Sequence, residues 1–128
     1  MHAVRVTMSK NVVRKGEILH NKDYLMSNNG EWKAVFQEDG NFVVYGWKPT
    51  WASDTYGLGG KKLVMQDDSN LVMYKDLANS SPKNAVWQTN TWMPNFRNCQ
   101  LKLMENGDLV VERDGCEVWN SKNSKGLK

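Results

Sequence analysis

At 128 residues the chain is the size of one ordinary domain, 1–128, which points to one core and one family of sites rather than a modular enzyme. With 40% hydrophobic and 24% charged residues, six Trp and four Tyr, the composition excludes a disordered or collagen-like chain. A net charge of +3, scattered apart from Lys122, Lys125 and Lys128 in the tail, argues against a nucleic-acid surface.

In chain order, Met1 to Leu19 is broken by Arg5, Lys10, Arg14, Lys15 and Glu17, so it does not read as a signal peptide. No segment approaches membrane-spanning length, and no membrane insertion is expected. His2 and His20 have no partner at metal-ligand or triad spacing and read as surface residues. Asn28-Asn29-Gly30 marks a tight turn. After it come three hairpins, each with short alternation of apolar and polar residues around turn residues. They run Lys33 to Gln37 and Asn41 to Tyr45, Leu63 to Gln66 and Asn70 to Tyr74, and Leu101 to Met104 and Asp108 to Arg113. No stretch has helical periodicity.

The hairpins are copies of one another. Gln37, Asp39, Asn41, Val43 and Tyr45 recur as Gln66, Asp68, Asn70, Val72 and Tyr74, shifted by 29 residues (66 − 37). In the third copy the same positions hold Met104, Asn106, Asp108, Val110 and Glu112, so only the valine survives. Each copy is followed by a tryptophan, Trp51, Trp87 or Trp119, expected to pack in the core around a shared axis. Trp32, Trp47 and Trp92 have no assignment. The second copy carries extra residues at Leu77 to Asn84, a polar stretch that reads as an enlarged surface loop. Within that loop Asn79-Ser80-Ser81 matches a glycosylation sequon, but Pro82 follows directly, and the match carries little weight.

A period of two sorts these side chains by face. Phe36, Phe42 and Val44, then Met65, Leu71 and Met73, then Leu103, Leu109 and Val111 form three apolar faces that can close on one core. The opposite face of each of the first two copies gathers a carboxylate, two amides, a phenol and an aliphatic side chain. That set matches a neutral sugar, whose hydroxyls both donate and accept and whose ring edges are apolar. Folding alone asks only for polarity there, so two identical copies argue for a shared ligand.

These residues resemble the Q-x-D-x-N-x-V-x-Y signature of the bulb-type, or monocot mannose-binding, lectins, a family with animal members that include fish. The resemblance spans nearly the whole chain and takes in the segments that trail each tryptophan. It implies an all-β fold, β-prism II, with three four-stranded antiparallel sheets about a pseudo-three-fold axis. It also implies a lectin for terminal mannose on glycoconjugates, with a role in innate defence, that is not an enzyme and needs no metal or other cofactor. Carried over by position, Asp39 with Asn41 would hold the axial 2-hydroxyl, Gln37 the 3-hydroxyl and Tyr45 the 4-hydroxyl, with Val43 against the ring. Asp68 with Asn70, Gln66, Tyr74 and Val72 would do the same in a second site, and the third would be degenerate. Mannose-containing glycans are then the expected partners, and a homodimer the expected assembly.

Cys99 and Cys116 flank the third hairpin, as a disulfide staple in the favoured reading or as two thiols. Either departs from the family, in which one cysteine often occupies the position held here by Gly40 or Ser69. Two cysteines leave the redox compartment open, and an extracellular location reached without a signal peptide is favoured over the cytoplasm. Two rival functions stand beside the lectin. A glycosidase would need two carboxylates on one substrate, whereas Asp39 and Asp68 belong to different repeats. A protein-interaction module would use the prism loops and keep the sugar sites as residues of ancestry.

Overall fold

A computed structural model describes residues 10–95 and 97–124. The expectations for His2, Lys125 and Lys128, and for Met1 to Ser9, lie outside the described residues.

The segment ahead of the first hairpin forms three short strands, β1 (Val12–Arg14), β2 (Ile18–His20) and β3 (Tyr24–Met26). The first repeat supplies β4 (Lys33–Phe36), β5 (Phe42–Tyr45) and β6 (Pro49–Ala52), and the second β7 (Lys62–Met65), β8 (Leu71–Tyr74) and β9 (Ala85–Gln88). The third supplies β10 (Cys99–Leu103), β11 (Leu109–Arg113) and β12 (Cys116–Asn120). Among the described residues, helical structure is limited to 3-10 turns at Pro82–Asn84 and Ser121–Asn123.

Each repeat is an antiparallel three-stranded meander, and each borrows a fourth strand from the leading segment. The sheet orders are β3-β4-β5-β6, β2-β7-β8-β9 and β1-β10-β11-β12. The leading segment thus passes along all three sheets, and Val13, Leu19 and Leu25 each turn inward opposite Leu101, Leu63 and Ala34. This is the β-prism arrangement that the family resemblance implies. A β-bulge recurs in all three sheets just before the last motif position, where Val44 faces Trp51 but Tyr45 faces Pro49. An extra residue at that point increases local twist and re-aims the side chain that follows.

The three apolar faces meet as expected. Phe36, Phe42, Val44, Met65, Leu71, Met73, Leu103, Leu109 and Val111 are all fully buried in one cluster. Trp51, Trp87 and Trp119 close it along the axis, edge to face, with centroids 5.6–6.0 Å apart. Trp32 has a separate task. Its ring lies against Gly107 and Gly46, and its Nε1–H donates to Glu105 O at 3.0 Å, locking the first sheet onto the turn of the third.

The cysteine staple is not formed, because both cysteines are free thiols. Cys99 on β10 and Cys116 on β12 pair with opposite sides of Arg113 on β11. A whole strand separates them, a gap of about 9–10 Å, beyond the reach of about 7 Å that a disulfide tolerates. His20 also departs from expectation. It is half-buried in β2, with Nδ1 3.7 Å from Asp23 Oδ2, rather than free at the surface.

Candidate functional site

Each motif is built on one hairpin turn. Gly40 N–H donates to Gln37 O and Ser69 N–H to Gln66 O, both at 3.1 Å, and the turn needs positive φ at this residue, +86° at Gly40 and +75° at Ser69. Glycine adopts that conformation freely, whereas Ser69 holds it with some strain. The carboxylate before the turn residue then folds back, so that Asp39 Oδ1 accepts from Asn41 N–H and Asp68 Oδ1 from Asn70 N–H, both at 3.0 Å.

The side chains form a preassembled ring of hydrogen bonds. Gln37 Nε2 donates to both Asp39 oxygens at 3.1 Å, and Gln37 Oε1 accepts from the Tyr45 hydroxyl. Gln66 does the same with Asp68, at 3.1 and 3.2 Å, and with the Tyr74 hydroxyl. Since an ionised carboxylate only accepts, the glutamine orientation is fixed, and so is the direction of the phenol. Val43 and Val72 are buried beneath this polar rim.

The asparagines are oriented from behind by the segments that trail each tryptophan, to which the sequence reading gave no part in the site. Asn41 Oδ1 accepts from Ser53 Oγ at 3.2 Å and Thr55 N–H at 3.1 Å. Asn70 Oδ1 accepts from Thr89 Oγ1 at 3.2 Å and Thr91 N–H at 3.1 Å. A backbone N–H can only donate, so each amide turns its Nδ2 away from the core toward the motif face. The signal was present in the trailing Ser-x-Thr and Thr-x-Thr, whose hydroxyls also tie back to Gly40 O at 2.6 Å and Ser69 O at 2.7 Å.

The two complete sets differ in enclosure. Asp39 is exposed and Tyr45 half-buried, whereas Asp68 is half-buried and Tyr74 buried. The enlarged loop explains part of this. Lys62, opposite Tyr74 in the sheet, is buried with Nζ 5.6 Å from the Tyr74 ring and donating to Leu77 O at 3.0 Å. Burial pushes the Tyr74 phenol above its ordinary value and the charge of Asp68 adds to the shift, so the hydroxyl stays protonated.

The third set keeps the scaffold and spends its polar groups internally. Leu109 N–H still donates to Ser121 Oγ at 3.0 Å, as Phe42 N–H does to Ser53 Oγ. Asp108 Oδ2, however, accepts from Asn120 Nδ2 at 3.2 Å and Asn106 Nδ2 at 3.4 Å, with Lys122 Nζ 3.7 Å away. Gln100 Nε2 donates to Glu112 Oε1 at 2.8 Å, and Met104 keeps the backbone bonds of the turn but puts a thioether where the other two sets have an amide. A depression of about 500 Å³ lies at this end of the third sheet, lined by Arg14, Lys15, Cys99, Gln100 and Glu112 among others, and Cys99 in its lining donates to Gln66 O of the second set. Among the described residues no three His, Cys, Asp or Glu side chains gather as a metal-binding group.

No protein-family model matches the chain. It is 50% identical over 118 residues to the B-type lectin plumieribetin of the fish Scorpaena plumieri, covering 92% of this chain and all of that one. Among solved structures, it resembles a monomeric monocot mannose-binding lectin from Gastrodia elata, with a TM-score of 0.75 and 29% identity over 88% of this chain and 96% of that one. It also resembles the mannose-specific agglutinin of snowdrop (Galanthus nivalis) bulbs complexed with methyl-α-D-mannoside. There the TM-score is 0.69 and the identity 31%, over 93% of this chain and 98% of that one.

Proposed function

The chain belongs to the B-type, or bulb-type, mannose-specific lectin family and is a fish-type member of it, and from that premise we propose that it binds terminal mannose at two sites. One site is Gln37, Asp39, Asn41, Val43 and Tyr45, the other Gln66, Asp68, Asn70, Val72 and Tyr74. The observation that carries this reading is the repetition on two separate sheets of one hydrogen-bonded ring, with every amide orientation set by the scaffold. Free carboxylate lone pairs and an outward asparagine N–H suit an axial hydroxyl, which must both donate and accept. The glutamine suits the 3-hydroxyl beside it and the phenol the 4-hydroxyl. Little reorganisation is needed on binding, which limits the entropic cost.

The protein acts by binding and not by catalysis. Asp39 and Asp68 lie on different sheets, and each is engaged by its own glutamine, so these two carboxylates do not flank one glycosidic bond. A shallow site for one monosaccharide gives about millimolar affinity, roughly −4 kcal/mol, so useful binding comes from linked sites on clustered glycans. A homodimer, with four sites, completes this reading.

Titration calorimetry with methyl α-mannoside, with and without EDTA, tests it. We expect two sites per chain, indifferent to EDTA. The double variant Asp39→Ala/Asp68→Ala leaves sugar donors unpaired at a cost of about 1–3 kcal/mol per site. Normal binding by that variant overturns the assignment, and release of free mannose from mannosides would replace the lectin by a glycosidase.

A further inference from the structure

Two large aromatic side chains stand in solvent at matching places in the repeats. Tyr56 is the fifth residue after Trp51 (56 − 51) and is 72% exposed, and Trp92 is the fifth after Trp87 (92 − 87) and is 61% exposed. In both cases the backbone on either side is pinned to the polar set. Thr55 N–H donates to Asn41 Oδ1 at 3.1 Å and Gly57 N–H to Asp39 O at 3.0 Å. Thr91 N–H donates to Asn70 Oδ1 at 3.1 Å and Met93 N–H to Asp68 O at 2.7 Å. The aromatic residue therefore sits between two residues anchored on the Asp and Asn of its own motif.

The third repeat has Ser124 at this place. The aromatic is thus present where the polar set is complete and missing where it is not. Folding does not explain that pattern, because side chains this exposed contribute little to the core. Trp47, 94% exposed, is the contrast. It lies two residues after Tyr45, while the residue two after Tyr74 is Asp76, so it belongs to no repeated arrangement.

We infer that Tyr56 and Trp92 are stacking platforms for a second pyranose, so that each site takes two linked sugars of an oligomannoside rather than a lone terminal residue. The inference rests on the mannose reading above and extends it. A pyranose presents one face of C–H groups that suits an aromatic face, and the phenol and indole N–H at the ring edge can hydrogen-bond its hydroxyls. Two anchored backbone positions flank each aromatic residue next to the Asp-Asn end of its set, so the backbone that carries the ring is already ordered before binding.

The test compares methyl α-mannoside with an α-linked mannotrioside by calorimetry, for the wild type, Tyr56→Ala/Trp92→Ala and Tyr56→Phe/Trp92→Phe. The wild type should bind the trisaccharide more tightly per site. The alanine pair should hold methyl α-mannoside as the wild type does and lose about three- to tenfold of its trisaccharide affinity, while the phenylalanine pair keeps most of it. Tryptophan emission should shift with the trisaccharide in Tyr56→Ala and not in Trp92→Ala. A trisaccharide advantage that survives in the alanine pair overturns the subsite, and so does a wild type with no such advantage. A change in sedimentation mass of the alanine pair with unchanged saccharide affinities assigns the aromatics to self-association instead, also overturning it. A wild type that binds neither saccharide fails the mannose reading itself.

Discussion

Asn70 Nδ2 donates to Gln88 Oε1 at 2.8 Å, whereas Ala52, which occupies the same place beside Asn41, offers that amide no acceptor. Both asparagines are already oriented by a threonine backbone N–H and a hydroxyl on Oδ1. Gln88 therefore adds little orientation and instead occupies a donor that a sugar hydroxyl would use. A net hydrogen bond of about 0.5–1.5 kcal/mol corresponds to about two- to tenfold in affinity. On an Asp39→Ala background, which isolates the second site, Gln88→Ala should strengthen mannose binding by about that factor. On an Asp68→Ala background, Ala52→Gln should weaken the first site. Calorimetry that finds Gln88→Ala neutral or weaker rejects the idea that this pair competes with ligand.

The tryptophan triad should carry much of the cooperativity among the sheets. Trp87 is the most enclosed of the three, and it touches both Trp51 and Trp119 edge to face at 6.0 and 5.9 Å. Truncation leaves a cavity on the axis where no single sheet can relax to fill it. Trp87→Ala should cost about 3–5 kcal/mol in urea unfolding. A loss below about 1 kcal/mol would mean that the sheets hold together without the axial contacts.

Most of this architecture was legible because it is written more than once. Alternation gave the three hairpins and their inward residues, and repetition separated a ligand-directed polar face from an ordinary solvated one. The three leading strands were harder to see, since three residues are too few for alternation to show. Their signal was a spacing of six, from Val13 to Leu19 and from Leu19 to Leu25 (19 − 13 and 25 − 19), with each residue fully or almost fully buried. The cysteines misled for a related reason. Flanking one hairpin in sequence suggested neighbours, but β11 lies between their strands. Gln88 was invisible as a site residue, because a single departure from the repeat has meaning only once its cross-strand partner is known.

The two thiols should differ sharply in reactivity. Cys116 is exposed, while Cys99 is buried with Sγ donating to Gln66 O at 3.2 Å. Burial pushes the Cys99 thiol up, which leaves less of the reactive thiolate. A disulfide-exchange reagent at pH 8 should label one thiol per chain quickly and the second only on unfolding, and two fast thiols would contradict the structure. Cys99 and Tyr74 are both raised, so each is easier to ionise in the unfolded chain. Their contribution to stability is complete below the unfolded values, about 8.5 and 10, and is lost as pH rises through the higher folded values. The urea midpoint should therefore fall in the alkaline range, and the fall should be smaller in Cys99→Ala.

The thiol of Cys99 also lies beside Ser69, at the position where the family often has a cysteine. Ser69 already holds the left-handed conformation of the turn, with φ at +75°, so a cysteine there meets the same backbone demand. Ser69→Cys should form a disulfide with Cys99 that ties the second sheet to the third and closes a loop of about 30 residues, worth about 2–4 kcal/mol. Unfolding with and without reductant measures the gain. A variant that keeps three free thiols after mild oxidation would place the two side chains farther apart than the structure does.

The third set should fold and stay silent toward mannose. Its scaffold is intact, since the bulge, the turn and the Ser121 tether repeat those of the other two sheets. Its chemistry is already consumed. Asp108 is engaged by Asn120, Asn106 and Lys122, and Glu112 by Gln100, so a sugar would have to break protein contacts to gain its own. Met104 then leaves one hydroxyl with nothing to replace the water it gives up, and an unpaired buried polar group costs about 1–3 kcal/mol, much of what a weak site has to offer. Asp108→Ala should therefore leave both the affinity and the count of two sites per chain unchanged in calorimetry. Lys122→Ala, which removes one competitor and leaves Met104 in place, should not raise the count either. A stoichiometry of three in the wild type, or mannose ordered beside Asp108 in a crystal soaked with methyl α-mannoside, would show that the internal bonds yield to ligand.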